Sequence, residues 1–179
     1  MYKRQQIGSD IDGEDAGDGS GLSVSLSADG SVVAIGSPYN DGNGNWSGHI
    51  RIYENVNNNW TQIGSDIDGE MAGDHSGEAI SLSADGSVVA IGAYQNDGNG
   101  EDSGHVRIFR NVNENWTQIG NDIDGEMAGD QSGKAISLSA DGSVVAIGAS
   151  YNTGNGENSG HVRLYLSLIH ISEPTRLLA

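Results

Sequence analysis

Short stretches of alternating hydrophobic and polar residues recur along this chain, and residues 76–93 show the pattern most clearly. Ile80 and Leu82 alternate with serines, which predicts a strand with one buried face and one solvated face. Residues 88–91 are apolar throughout, as is typical of a strand that is covered on both faces. Asp85-Gly86 lies between the two and suits the positive φ angles of a tight turn. The stretch therefore predicts a β-hairpin.

The same hairpin pattern occurs three times, at residues 20–37, 76–93 and 132–149, with a period of 56 residues. Residues 62–109 and 118–165 differ at nine of 48 positions and are identical at the other 39. A period of this length is too long for one coil of a solenoid, and it suits a propeller blade of four strands. The sequence therefore predicts an all-β fold, a partial β-propeller of four-stranded antiparallel blades with a 56-residue repeat.

The other two strands of each blade can be placed by the same alternation. In the second repeat we expect the third strand at residues 104–109 and the fourth at residues 115–120. Loops are expected at residues 96–102 and 111–114, and a long acidic link follows at residues 122–130. Because one sheet cannot cover both of its own faces, successive blades are expected to stack face to face.

Both ends of the chain differ from the repeat. Residues 1–5 and 166–179 resemble the translated ends of transposase adapters from shotgun sequencing libraries, and the repeat similarity stops beside them. We expect a fragment of a longer, metagenomic protein; a natural basic start and hydrophobic tail is the alternative. The predicted division is 1–5 adapter-like, 6–19 end of a preceding blade with its acidic link, 20–75 repeat 1, 76–131 repeat 2, 132–165 partial repeat 3 and 166–179 adapter-like tail.

Composition narrows the partners that the chain can bind. The formal net charge is −17, which argues against nucleic acid and anionic membrane because both repel an acidic surface. No apolar run reaches the roughly 18 residues that a membrane span requires, so we expect no membrane insertion. The chain has no Cys, which excludes disulfides and thiolate metal sites. With 28 Gly and 2 Pro, it suits many tight turns between strands.

Two short motifs recur in each repeat: Ser20-Gly21, Ser76-Gly77 and Ser132-Gly133 before the first strand, and Gly36-Ser37-Pro38, Gly92-Ala93-Tyr94 and Gly148-Ala149-Ser150 after the second. These motifs resemble the FG-GAP repeat of integrin α-like β-propellers, with Ser in place of the family's Phe and a degenerate Gly-Ala-Pro motif. This resemblance covers residues 6–165 and implies a secreted or cell-surface binding and adhesion module. The family's calcium loop is not carried over, because the Asp85-Gly86 turn is too short to wrap a cation.

Two acidic motifs are candidate calcium-binding sites, and calcium is the possible cofactor. In the first motif, side chains that carry oxygen atoms alternate with glycines on a loop of the first two repeats. The third repeat has Thr153 in place of the aspartate, and the alternative interpretation is that these loops are plain turns. The second motif places two carboxylates two residues apart in the acidic link. It predicts either a solvated link or a calcium site between blades. The candidates are Asp41 and Asn43, Asp97 and Asn99, Asp66 and Asp68, and Asp122 and Asp124.

Several residues recur once in each blade and favour structural roles. We expect the histidines at the start of the third strand to pack and the arginines two residues later to pair with the acidic link. Trp60 and Trp116 are expected to pack between blades rather than to stack on a sugar, and His75 has no counterpart in the other repeats. The recurring basic residues are His49, His105, His161, Arg51, Arg107 and Arg163.

These patterns together predict a non-catalytic binding module within a larger extracellular or surface protein. No nucleophile with a base and no phosphate-binding loop is recognisable, and near-identical repeats do not suit an active site, which breaks symmetry. Its expected partners are a protein or glycan ligand and the neighbouring blades of the full-length chain. The alternatives are an accessory propeller of a secreted enzyme and a purely structural repeat.

Overall fold

The computed structural model describes residues 3–167, which form thirteen β-strands and no helix. No helix in this part of the chain is therefore long and apolar enough to cross a membrane. The predictions made for residues 1–2 and 168–179 lie outside the described residues. The strands are β1 (Ser23–Leu26), β2 (Val32–Ser37), β3 (His49–Val56), β4 (Asn59–Gln62), β5 (Ile67–Asp68), β6 (Ala79–Leu82), β7 (Val88–Ala93), β8 (His105–Val112), β9 (Asn115–Gln118), β10 (Ile123–Asp124), β11 (Ser132–Leu138), β12 (Val144–Ala149) and β13 (His161–Leu166).

These strands form three antiparallel sheets, one for each repeat. Sheet 1 has the order β1-β2-β3-β4, with β5 also paired to β3. Sheet 2 repeats this arrangement with β6-β7-β8, and both β9 and β10 pair with β8. Sheet 3 contains β11-β12-β13. The predicted all-β architecture of antiparallel sheets is confirmed, although each complete sheet has five strands rather than four.

The fifth strand arises because the third strand of each of the first two repeats is longer than predicted. The eight residues of β8 exceed the reach of β9, so β9 pairs with one end of β8 and β10 pairs with the other. The predicted fourth strand, residues 115–120, therefore ends at Gln118, and Gly120 adopts a positive φ of 72°. Part of the predicted acidic link, residues 123–124, is a strand.

The loop predicted at residues 111–114 is also shorter in the structure. Asn111 and Val112 belong to β8, and only Asn113 and Glu114 separate it from β9. Both residues have positive φ angles, 53° and 64°, as a two-residue hairpin turn requires.

In the β6–β7 hairpin the positive φ angle is confined to Gly86, at 73°. The Asp85 carboxylate instead accepts hydrogen bonds from the hydroxyls of Ser83 and Ser87 and from the Ser87 backbone N–H. These hydrogen bonds, led by that from Ser83, hold the pKa of Asp85 below its usual value. The carboxylate thus closes the turn, which spans residues 83–87.

The sheets stack face to face, and each junction buries a layer of mainly aliphatic side chains. All six residues of β7 are buried because sheet 2 is covered on both faces, as the apolar run predicted. In β12 buried and partly exposed residues alternate, because only one face of sheet 3 is covered. The first layer contains Val32, Ala34, Ile50, Ile52, Ile67, Leu82, Val89, Ile91 and Phe109, and the second contains Val88, Ala90, Val106, Ile108, Val145 and Ile147.

Two glycines allow the sheets to approach at backbone distance. A Cβ atom added to Gly36 would overlap the carbonyl oxygen of Gly77 in sheet 2. A Cβ atom added to Gly92 would overlap the carbonyl oxygen of Gly133 in sheet 3 in the same way. At each of these positions an alanine would push two sheets apart.

We therefore predict that Gly92→Ala lowers the free energy of unfolding by about 1–3 kcal/mol, the usual cost of overpacking a filled interior. Denaturant unfolding measures this change. Gly148→Ala is the control, because Gly148 occupies the same position in sheet 3. Its added Cβ would lie 3.3 Å from the Cβ of Ala135, its nearest neighbour. Equal losses in the two variants would contradict the role of close sheet approach.

Candidate functional site

Each of the first two sheets brings one histidine and two carboxylates together. His49 is the first residue of β3 and pairs with Asp68 of β5, which places Asp66, the residue before β5, beside the imidazole. Glu14 approaches from the link before sheet 1. Sheet 2 repeats the cluster with Glu70, His105 and Asp122. In both clusters one nitrogen and two carboxylate oxygens lie within 4.8 Å of one another.

The histidines lie too far from these carboxylates for hydrogen bonds. His49 Nδ1 is 3.7 Å from Glu14 Oε2 and 3.8 Å from Asp66 Oδ2. His105 Nδ1 is 3.8 Å from Glu70 Oε2. Both side chains are only 2% exposed, and Nε2 of each is enclosed without a hydrogen-bond partner. Burial, with Arg107 beside it, lowers the pKa of His105, which favours the neutral imidazole.

The recurring arginines lie beside the histidines and contact the acidic link. Arg51 Nη2 donates a hydrogen bond of 2.6 Å to the backbone carbonyl of Asp12, and Nη1 lies 3.8 Å from Glu14 Oε1. Arg107 makes the equivalent contacts with the carbonyl of Asp68 and with Glu70. This geometry agrees with the predicted pairing, although the shorter contact is to the main chain.

The candidate calcium loops are held by hydrogen bonds to the main chain. Asp41 Oδ1 accepts a hydrogen bond from the Trp46 N–H at 2.8 Å. The Asn43 amide donates to the carbonyls of Gly69 and Glu70, at 2.8 and 2.9 Å, and so fastens the loop to the next link. Asp97 and Asn99 make the same contacts in sheet 2. These side chains therefore already have partners within the loop and link.

A cavity of about 630 Å³ brings several of the predicted carboxylates together. Asp41, Asp66 and Asp68 line it with Glu14 and His49, whereas Asn43 does not. In sheet 2, Asp122 and Asp124 line a shallower depression with Glu70 and Gln118. The sequence thus located the aspartates of this site but neither Glu14 and Glu70 nor the histidines that lie among them.

An aromatic cluster at the rim of the cavity has no counterpart in the sequence prediction. His75 lies 5.4 Å from Tyr39, 5.7 Å from Trp46 and 5.7 Å from Tyr94, measured between ring centres. All three pairs are edge-to-face, an arrangement that aromatic rings favour. Tyr39 and Trp46 also line the cavity.

Two members of this aromatic cluster occupy positions with left-handed backbone. Trp46 has φ of 56°, where the other repeats carry Asp102 and Asn158, residue types that tolerate this conformation. His75 has φ of 55°, where the copies are Gly19 and Gln131. The signal that could have located the cluster is therefore the small set of positions at which the repeats differ.

Trp60 and Trp116 lie away from this cluster. The indole N–H of Trp116 donates to the carbonyl of Ile63 at 2.9 Å, and its ring packs against the first aliphatic layer. Trp60 donates to the carbonyl of Ile7 at 3.0 Å. Trp116 thus packs between the first two sheets, whereas the contact recorded for Trp60 is a hydrogen bond to the main chain that precedes sheet 1.

Comparison with known proteins supports only the fold. No family model matches the chain, and no curated protein matches it significantly. Among solved structures, the chain is similar to hydrazine synthase of Kuenenia stuttgartiensis, with a TM-score of 0.53 and 13% identity. The match covers 93% of this chain and 36% of that chain. The likeness shows an all-β, propeller-like fold and nothing about activity.

The environment of His75 predicts a pH-dependent stability. Burial lowers the pKa of His75 below its ordinary value of 6.5, so the folded chain favours the neutral ring. Its contribution is therefore complete above about pH 6.5 and is lost as the pH falls toward the lowered pKa. We expect the drop in Tm between about pH 7.5 and about pH 5 to be smaller in His75→Gln, which carries the residue found at position 131. Identical drops in the two proteins would contradict this role of His75.

Proposed function

We propose that this chain is a non-catalytic ligand-binding part of a larger β-propeller, secreted or displayed at the cell surface. The observation that carries the proposal is the aromatic cluster beside the acidic cavity, formed where the repeats differ. FG-GAP-like identity and an adhesive role belong to the same proposal and rest on the motif resemblance.

The cluster and cavity together have the chemistry of a ligand site. Trp46 is 52% exposed and Tyr39 is 36% exposed. Neighbouring exposed aromatic side chains of this kind are typical of interaction sites. A tryptophan in left-handed backbone has an energetic cost, and such strain concentrates at ligand-contacting positions. Carboxylates in the neighbouring cavity can accept hydrogen bonds from sugar hydroxyls while the rings pack against sugar C–H groups. A glycan is therefore the first ligand class to test, and a protein ligand is the second.

The arrangement of polar groups supports binding rather than catalysis. In residues 3–167, no serine hydroxyl donates a hydrogen bond to a histidine, so no activated nucleophile of the serine–histidine kind is formed. The histidine clusters recur with almost the same geometry in two sheets, whereas an active site is normally single.

Closure into a ring is part of the proposal, and the exposed outer faces of sheets 1 and 3 support it. Val24 is 65% exposed although its counterpart Ile80 packs in the first aliphatic layer. At the other end, Leu164 is 70% exposed, whereas its counterparts Ile52 and Ile108 are buried. Further blades of the full-length chain would cover both faces, because propellers typically contain four to eight.

We predict that replacing the aromatic residues by those of the second repeat weakens ligand binding without unfolding the chain. Trp46→Asp and Tyr39→Gln introduce the residues found at positions 102 and 95, so the backbone should accept both. Screening on glycan and extracellular-protein arrays identifies the ligand, and calorimetry then measures its affinity. We expect each variant to weaken binding about tenfold or more, as loss of a central aromatic contact usually does.

Ser65→Asn is the matched control, because it also introduces the residue of the second repeat but lies at an exposed position outside the cluster. It should bind as the unaltered chain does. Absence of any ligand on both arrays, or equal affinity of the aromatic variants and the control, would contradict the proposed function.

A further inference from the structure

We infer that the two clusters, Glu14–His49–Asp66 and Glu70–His105–Asp122, are binding sites for a divalent transition metal of the zinc class. This goes beyond the proposed function, since neither cluster requires the aromatic residues. Each cluster offers one imidazole nitrogen and two carboxylate oxygens within 4.8 Å, which is a donor set that zinc accepts.

The carboxylates of the first cluster are oriented by partners on their outer oxygens. Gln62 Nε2 donates a hydrogen bond of 2.5 Å to Asp66 Oδ1, which leaves Oδ2 facing the imidazole. Arg51 lies against Glu14 Oε1 and leaves Oε2 facing the same nitrogen. Orientation of ligands by outer hydrogen bonds is a general feature of metal sites.

The second cluster repeats this division of oxygens. Gln118 Nε2 donates to Asp122 Oδ1 at 2.7 Å, and Arg107 lies 3.8 Å from Glu70 Oε1. Glu70 Oε2 faces His105 Nδ1 at 3.8 Å. The two clusters therefore leave the same carboxylate oxygens free to face the imidazole.

The distances fit a shared cation better than direct contact. Separations of 3.7 and 3.8 Å between Nδ1 and the carboxylates exceed hydrogen-bond length. Ligands about 2.0–2.2 Å from a tetrahedral zinc ion lie roughly 3.4 Å apart, so small side-chain movements would complete the site.

The buried histidines are the independent observation that points to a ligand. Their side chains are 2% exposed, and Nδ1 points at the carboxylates from beyond hydrogen-bond length, 3.7 and 3.8 Å in His49 and 3.8 Å in His105. Nε2 of each ring is also enclosed without a hydrogen-bond partner. Buried polar groups normally have a hydrogen-bond partner, and leaving one without is costly. A metal ion on Nδ1 would give each buried imidazole one strong bond on the side that faces the carboxylates, while Nε2 would stay enclosed by the protein.

The donor types select the metal. Imidazole favours zinc, copper, iron and nickel, whereas calcium takes six to eight oxygen ligands. The first cluster opens onto the acidic cavity, where Asp41 and Asp68 add negative charge that attracts a cation. In sheet 3, Glu126 faces His161 at 3.7 Å, but no second carboxylate joins them among the described residues. We therefore expect two sites, not three.

Calorimetric titration of the whole chain with zinc tests the inference. We expect two zinc ions per chain, one in Asp66→Asn and none in the double variant Asp66→Asn with Asp122→Asn. At each altered site the zinc affinity should fall about 100-fold or more, because loss of a metal ligand should lower the affinity more than loss of an outer hydrogen-bond partner does. Asparagine retains an oxygen that can accept the glutamine hydrogen bond.

Asp10→Asn is the matched control. Asp10 is the repeat counterpart of Asp66 and accepts a hydrogen bond from Gln6 at 2.8 Å, but it is in neither histidine cluster. This variant should still bind two zinc ions, and so should Trp46→Asp, which separates failure of this inference from failure of the proposed function. Two zinc ions bound by the double variant would overturn the inference, as would binding of calcium but not zinc.

A measurement on the unaltered chain keeps the inference testable if a variant does not fold. Imidazole nitrogen NMR should show zinc-dependent shifts of Nδ1 in His49 and His105 and none in His75. Shifts in His75 alone, or no shift at saturating zinc, would overturn the inference.

Discussion

Backbone contact between successive sheets is the constraint on which the rest of this structure depends. Gly36 and Gly92 lie against the carbonyl oxygens of the next sheet, so no side chain fits there. The same approach brings the aliphatic faces together, and β7 is buried on both faces as a result. Stability in such a stack comes largely from the junctions between neighbours, because no single sheet can bury its own faces.

Most positions are shared between the repeats, and some of those that differ lie in the loops and links at the ends of the strands. Trp46 and His75 occupy left-handed positions that the other repeats fill with smaller or more tolerant residues. Together with Tyr39 and Tyr94 they form the aromatic cluster beside the acidic cavity. The shared residues thus build the scaffold and the histidine clusters, whereas the differing residues build the proposed ligand site.

The sheets could be predicted because a strand with one buried face has a hydrophobic residue at every second position, and because the sequence of the blade repeats every 56 residues. The short strand β10 could not, since it forms only because β8 extends beyond β9. Asp66 was identified as a candidate ligand from its local motif. Its partner His49 was not, because pairing between β3 and β5 brings together residues that are distant in sequence. Local motifs thus predict single candidate metal ligands, and long-range strand pairing determines which of these ligands lie close together.

The most direct test of the central claim, that ligand binding resides where the repeats differ, is to rebuild the aromatic cluster at the second junction. The changes are Gln95→Tyr, Asp102→Trp, Gln131→His and Ser150→Tyr, each taken from the corresponding position of the preceding repeat. Once the ligand is known, calorimetry should find two bound ligand molecules per chain in place of one. A stoichiometry that stays at one in a folded variant would contradict the account.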